Sequence, residues 1–170
     1  MKKIIFVAIF LTITLSFNNT PVSKNDDKVS IIDTIPKNSD LVCFINDTLN
    51  IENLKLLVDS IPLKHKDIIV AQAILETGWF NSENCIKNNN LFGMRKSYIR
   101  PSTSDTTIDG YAHYSSWKSS VMDYYFLQQS LSPNTINSRY NYFRYLDKVY
   151  SQSGRKYSIA VMNIIKKINK

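Results

Sequence analysis

The chain of 170 residues contains few of the residues that mark several large classes of protein. Four glycines and five prolines are too few for a low-complexity or fibrous protein. Only two cysteines and two histidines are present, and His65 and His113 lack zinc-ligand spacing to either Cys43 or Cys85. We therefore predict no metal and no cofactor. The two thiols could pair in an oxidising compartment, but the sequence leaves open whether they lie within disulfide reach.

A hydrophobic run long enough to span a membrane is also missing. The apolar run Ile4–Leu15 is short, because a membrane-spanning helix needs about 20 residues. It follows Lys2 and Lys3 and ends next to the small residue Ser16, as in a secretory signal peptide. We predict a signal peptide over residues 1–16 and export to the cell envelope, either periplasmic or extracellular. The alternative is an uncleaved N-terminal anchor.

The charge and the composition limit the class of partner that the protein can bind. The formal net charge is +7, and removal of Lys2 and Lys3 with the signal would leave +5. This excess suits anionic envelope polymers, although it is also compatible with a merely soluble surface. No nucleic-acid-binding motif is present, so we expect no nucleic acid partner. With 44% hydrophobic residues we predict one domain, 47–170, monomeric and preceded by a polar linker over 17–46.

The segment that organises the domain is the apolar run ending at Glu76. Apart from Gln72, residues 68–75 are apolar around nearly the whole circumference of a helix, which predicts a helix surrounded by others. Gln72 lies one turn before Glu76 on the same face, and Gly78 predicts the end of the helix. Apolar neighbours and the negative helix C-terminus both raise the pKa of a carboxyl group at this position.

A carboxylic acid that stays protonated near neutral pH is the group that a glycosidase needs to donate a proton to a leaving sugar oxygen. Glu76 is therefore a candidate general acid. The alternative on position alone is a solvated glutamate at a helix end, without a function.

Two motifs in this region decide between these alternatives. Ala71-Gln-Ala-Ile-Leu-Glu-Thr-Gly-Trp79, followed by Asn88-Asn-Asn-Leu-Phe-Gly-Met94, resembles the bacterial endo-β-N-acetylglucosaminidases of glycoside hydrolase family 73. The similarity extends more loosely from about Ile51 to the end of the chain. Phe80 stands where the family usually has glycine, whereas the family's serine is kept at Ser82.

The resemblance implies a mainly α-helical, lysozyme-like domain with a small β-hairpin lobe. It makes Asn90 and Phe92 candidates for contact with sugar, with a turn and a core position as their structural alternatives. Tyr150 occupies the place of a family tyrosine near the catalytic centre, although Ser151-Gln152 follows it instead of Ala-Thr. The other candidates for substrate binding are Gln72, Trp79, Tyr111 and Tyr114. We expect Trp79 to pack behind Glu76 and exclude water from it.

The sequence leaves two alternatives for the second catalytic group. Several relatives carry a second glutamate in the β-lobe, but no glutamate follows Glu83 in this chain. Asp109-Gly110 predicts a hairpin turn, which explains Asp109 and leaves Asp105 as the carboxylate candidate. The alternative is that the N-acetyl group of the substrate acts as nucleophile, a recognised exception to the two-carboxylate scheme.

Local patterns predict the remaining elements. They are helices over 51–60 (capped by Asn50), from Pro62 to Glu76, from Ser115 or Ser116 to about Leu131, over about 141–150 and over 157–168, with a loop over 81–90. We expect Phe143, Leu146 and Val149 to face inward. The predicted activity is hydrolysis of the β-1,4 bond of peptidoglycan glycan strands on the N-acetylglucosamine side. A lytic transglycosylase and a catalytically silent glycan-binding domain are the alternatives.

Overall fold

A computed structural model of the chain describes residues 47–151 and 153–170. These residues are mainly helical, with one two-stranded antiparallel sheet. The elements are α1 (Ile51–Ser60), α2 (Lys66–Glu76), α3 (Glu83–Asn88), β1 (Thr106–Ile108), β2 (Tyr111–His113), α4 (Trp117–Ser130), α5 (Pro133–Ile136), α6 (Arg139–Tyr145), a π-helical turn (Leu146–Tyr150) and α7 (Arg155–Ile168). The arrangement is consistent with a lysozyme-like fold and confirms the predicted fold class. The predicted signal peptide, the linker and Cys43 lie outside the described residues.

Helix α2 is the centre of the domain, as its apolar sequence predicts. Every residue from Ile68 to Ile74 is buried, and α2 packs against α1 on one side and α7 on the other. One core cluster takes Ile69, Val70, Ala73 and Ile74, whereas the other takes Ile68 and Ala71. Each buried isoleucine contributes about 1.5–3 kcal/mol relative to an exposed one. No helix in the described ranges is long and apolar enough to cross a bilayer.

The ends of α2 differ in how well the sequence predicts them. The helix ends at Glu76 as expected, and the backbone turns at Gly78, which has a φ of 54°. Its start is at Lys66 and not at Pro62, because His65 adopts the left-handed conformation (φ 55°, ψ 49°) and interrupts any helix that begins earlier. The predicted start was therefore wrong by one turn.

Side-chain caps set the starts of four other helices, of which α6, capped by Ser138, is one. Asn50 accepts a hydrogen bond from the Asn53 backbone N–H at 2.7 Å, which confirms the predicted cap of α1. Ser116 caps α4 in the same way. Ser82 accepts from the Cys85 backbone N–H at 3.2 Å and starts α3, a short helix within the stretch where we expected only a loop. Polar composition concealed this helix, since most of its residues are Asn, Glu or Lys.

The hairpin forms where the turn signal predicts it. Strands β1 and β2 pair antiparallel, with Ile108 opposite Tyr111. Asp109 and Gly110 both have positive φ, 52° and 80°, as a two-residue turn of the primed type requires. All of β1 is exposed, so the hairpin is a surface lobe attached to the helices through β2.

The C-terminal third contains more elements than the sequence suggested. Pro133 begins the short helix α5, and α6 already starts at Arg139. The predicted helix over 141–150 changes to π-helical geometry at Leu146. Leu146 is buried, but Val149 is 71% exposed, so the expectation that Val149 faces inward was wrong. The π-helical turn shifts the helix face by one residue and moves Val149 outward.

Candidate active site

Glu76 is the last residue of α2, so the central apolar helix ends in a carboxyl group. The side chain is half-buried, and burial raises its pKa above the usual value, only partly opposed by a hydrogen bond from Tyr157. In the described residues no cation forms an ion pair with it. A raised pKa favours retention of the proton near neutral pH, which is the condition for a general acid.

Tyr157 is the residue that contacts Glu76 most directly, and sequence reasoning missed it as a site residue. Its hydroxyl donates to Oε1 of Glu76 at 2.6 Å, across 81 positions of sequence. Burial and the charge of Glu76 raise the pKa of Tyr157, so the phenol stays protonated. Its spacing of four residues from Val161, also buried, marks it as inward-facing in α7. That pattern gives no indication of its partner.

The other carboxyl oxygen of Glu76 faces the loop that follows α3. A Cβ atom placed on Gly93 would lie 3.5 Å from Oε2 of Glu76. Gly93 has a φ of 62°, a conformation that other residues adopt only with strain. The glycine therefore allows the loop backbone to lie beside the carboxyl group.

Asn90 and Phe92 hold this loop in place. The Asn90 amide donates to the carbonyls of Met94 and Ala112 at 2.8 and 2.9 Å, and its oxygen accepts from the Phe92 and Met94 backbone N–H groups. Phe92 is buried against Tyr124, with ring centroids 4.2 Å apart. Burial of both side chains favours their structural alternatives. Their contact with sugar stays a prediction.

Tyr150 supports the same loop from the π-helical turn. Its hydroxyl donates to the Phe92 carbonyl at 2.6 Å. Burial raises its pKa well above the ordinary value, and the neighbouring Tyr157 and Glu76 act in the same direction. The structure thus brings Tyr150 to the neighbourhood of Glu76, with its hydroxyl proton directed to the backbone of the loop.

The remaining substrate-binding candidates divide by exposure. Gln72 is fully buried and donates to Tyr157 at 3.2 Å, and Tyr114 is fully buried and donates to Asp123 at 2.7 Å. Trp79 and Tyr111 are 37% and 40% exposed, so their rings are accessible to a ligand. This exposure differs from the expectation that Trp79 packs away from water behind Glu76. Its ring lies 4.2 Å from the ammonium group of Lys167 in α7.

Asp105 lies just before β1 and pairs with a histidine. Its Oδ1 atom is 2.7 Å from Nδ1 of His113, and this hydrogen bond lowers the pKa of Asp105. Asp105 is thus an ionised, exposed carboxylate, which suits a base or nucleophile better than an acid. Neither a hydrogen bond nor an ion pair joins it to Glu76 in the described part of the chain. Its catalytic role stays a prediction.

The match to known families decides the class of protein. A family model described as mannosyl-glycoprotein endo-β-N-acetylglucosaminidase, the glucosaminidase family, matches residues 60–170. The chain belongs to this family. It is therefore a glycoside hydrolase of the endo-β-N-acetylglucosaminidase type, as its two motifs indicate. Comparisons with curated proteins and with solved structures gave no significant match.

Glu76 lies within the matched region, residues 60–170. Among the described residues no three His, Cys, Asp or Glu side chains lie close enough together to hold a metal ion. A separate cleft of about 570 Å³ lies between α6 and α7, lined by Arg144, Lys148 and Arg155 among others. Glu76 is not among its lining residues, so this cleft does not contain the candidate acid.

Proposed function

We propose that this glucosaminidase is an exported peptidoglycan hydrolase that cleaves the β-1,4 bond on the N-acetylglucosamine side, with Glu76 as general acid. The observation that carries the proposal is the half-buried Glu76 carboxyl group, held by Tyr157 on one oxygen and facing Gly93 with the other. Peptidoglycan glycan strands fit this family as substrate.

The reaction assigns Glu76 two successive tasks. The protonated carboxyl group donates its proton to the glycosidic oxygen while the bond between that oxygen and C1 of the sugar breaks. The resulting carboxylate then accepts a proton from the water molecule that attacks C1, which restores the acid. Burial supports the first task because it raises the pKa, and the hydrogen bond from Tyr157 supports the second because it stabilises the carboxylate.

The group that stabilises C1 between these steps is either the carbonyl oxygen of the substrate's N-acetyl group or the carboxylate of Asp105. Asp105 has the protonation state for this role, but it is engaged by His113 at 2.7 Å. The substrate-assisted route leaves that pair intact and needs no second carboxylate. Asp105→Asn distinguishes the two routes, because it abolishes cleavage only if Asp105 reacts at C1.

Two features suit a glycan strand. Trp79 and Tyr111 expose aromatic rings, and such rings pack against the apolar faces of sugars. The net charge, +7 for the full chain and +5 without Lys2 and Lys3, favours attraction to an anionic wall. Both are supporting observations, whereas Glu76 carries the chemistry.

The test is Glu76→Gln, which keeps the shape of the side chain and removes the transferable proton. Cleavage of purified sacculi should fall by about 10²- to 10⁴-fold, the usual contribution of general acid catalysis. Glu83→Gln is the matched control, because Glu83 is 88% exposed and pairs only with Lys87 on the surface. Circular dichroism of both variants controls for folding.

Mass spectrometry of the released fragments distinguishes the alternatives. A hydrolase leaves N-acetylglucosamine at the reducing end, a lytic transglycosylase leaves an anhydro sugar, and a silent binding domain releases nothing. Wild-type digestion by the Glu76→Gln protein would show that the proposal is wrong.

A further inference from the structure

A continuous chain of hydrogen-bonded side chains runs through the core alongside α2, from the segment before the helix to Glu76 at its end. Every member is buried apart from Glu76, which is half-buried. The successive contacts are Lys64 backbone to Gln128 (2.7 and 3.1 Å), Gln128 to Tyr142 (3.4 Å), Tyr142 to Tyr124 (2.6 Å), Tyr124 to Gln72 (2.8 Å), Gln72 to Tyr157 (3.2 Å) and Tyr157 to Glu76 (2.6 Å).

The backbone of Lys64 fixes the direction of the first link. A backbone N–H can only donate, so the Gln128 side-chain atom 2.7 Å from it must be the amide oxygen. The amide nitrogen of Gln128 consequently points the other way and donates to the Lys64 carbonyl and to the hydroxyl of Tyr142. The amide nitrogen of Gln128 can only donate, so the hydroxyl proton of Tyr142 is directed to its other partner, Tyr124.

The same reasoning identifies the donor of each following hydrogen bond. Each tyrosine has one hydroxyl proton, so Tyr142 donates to Tyr124 and Tyr124 donates to the amide oxygen of Gln72. The amide nitrogen of Gln72 then donates to the hydroxyl of Tyr157, which leaves the proton of Tyr157 for Oε1 of Glu76. From the link between Gln128 and Tyr142 onward, every donor therefore points towards Glu76, opposite in effect to the negative end of α2.

Burial keeps these donors protonated. It raises the pKa of Tyr142 to about 12 and that of Tyr124 well above its ordinary value. The chain does not conduct protons, because the amides of Gln72 and Gln128 cannot accept a proton on one side and release one on the other without changing tautomer. Its effect on Glu76 is thus one of orientation.

We propose that this chain places the transferable proton of Glu76 on Oε2, the oxygen that faces Gly93. Oε1 accepts the hydrogen bond from Tyr157, so an acidic proton on Oε1 would face a donor instead of an acceptor. The acidic proton is thereby confined to the oxygen beside the loop. This inference rests on the proposed role of Glu76 and makes Gln72, Tyr124, Tyr142 and Gln128 positioning residues.

Few other titratable groups act on Glu76. Tyr150, from the π-helical turn, interacts with it electrostatically but directs its proton to Phe92. Lys167, on α7, lies over the ring of Trp79. Neither competes with Tyr157 for Oε1. A change in the titration of Glu76 after the series of hydrogen bonds is interrupted is therefore caused by that interruption.

Carbon-13 NMR of the glutamate carboxyl carbons tests the proposal without requiring activity. The sequence contains three glutamates, so labelling gives three signals, with Glu52 and Glu83 as internal references. Tyr124→Phe removes the hydroxyl that donates to the amide oxygen of Gln72. The Gln72 amide can then rotate so that its oxygen accepts a hydrogen bond from Tyr157. Glu76 then loses its donor, and its titration midpoint should rise by about one pH unit, as in Tyr157→Phe.

Kinetics provide the second readout. When the series of hydrogen bonds is interrupted, the proton of Glu76 can move to Oε1. The low-pH plateau of kcat should then fall roughly two- to tenfold while KM stays unchanged. Tyr145→Phe is the matched control, because Tyr145 stacks on Tyr142 but its hydroxyl is outside the chain. The Tyr145→Phe variant should leave the titration midpoint of Glu76 and kcat unchanged.

The outcomes separate this inference from the proposed function. If Tyr124→Phe lowers thermal stability but leaves the Glu76 midpoint and kcat at wild-type values, the chain is merely structural and the proposal is wrong. Should that variant not fold, Tyr142→Phe, one link further away, tests the same expectation. Full activity of Glu76→Gln would refute the general acid instead, and the carboxyl titration would still decide whether the chain orients Glu76.

Discussion

The β-lobe is joined to the helices by a buried ion pair whose loss we expect to be costly. Asp123 in α4 has no exposed side-chain surface and accepts hydrogen bonds from Arg100 at 2.7 Å and from Tyr114 at 2.7 Å. Arg100 is itself only 10% exposed. In Arg100→Met the Asp123 charge stays buried with one partner left, which should destabilise the domain by about 3–5 kcal/mol.

Thermal and urea unfolding followed by circular dichroism measure this loss. For a domain of this size it corresponds to a fall in Tm of roughly 10–20 °C. Arg139→Met is the matched control, because Arg139 and its partner Asp67 are 47% and 39% exposed. An exposed pair contributes at most about 1 kcal/mol.

A double variant isolates the buried charge as the cause. Arg100→Met with Asp123→Leu removes both charges and should recover most of the stability lost by Arg100→Met alone. Equal losses for Arg100→Met and Arg139→Met would refute the reasoning, because burial would then make no difference.

Two further predictions concern the N-terminal segment and the thiols. The native protein should begin shortly after Ser16 and be found outside the cytoplasm; a cytosolic chain that still starts at Met1 in N-terminal sequencing would contradict the predicted export. Replacement of Cys43 and Cys85 together by serine should leave sacculus digestion largely intact, because neither residue falls on a catalytic position of the family and Cys85 is a buried free thiol of α3; inactivity of the folded double variant would show a role for the thiols that we did not assign.

Local patterns predicted the elements that depend on neighbouring residues alone. The cap at Asn50, the turn at Asp109-Gly110 and the end of α2 at Glu76 all follow from side chains within four positions of the feature. The start of α2 did not follow, since the left-handed conformation of His65 coincides with a hydrogen bond to Ile136, 71 positions away. The π-helical turn before Tyr150 has no local signal either.

The candidate site also has some features that follow from local sequence and others that depend on contacts between distant residues. An apolar helix that ends in a single glutamate, followed by a loop with Gly93, was sufficient to predict a general acid and to indicate the family, which the family model confirms. The sequence could not separate Tyr157 from the other tyrosines of the C-terminal region, because its contact with Glu76 spans 81 positions.

What the sequence by itself determined is therefore a carboxyl group at the end of a buried apolar helix, because burial of α2 depends on the composition of the helix. The tertiary structure alone decided which hydroxyl binds Oε1 of Glu76, since that contact requires α7 to pack on α2. It also decided the direction of the chain behind Tyr157, which is set by the backbone N–H of Lys64. Hydrogen bonds are short and directional, so their partners follow from packing and not from spacing along the chain.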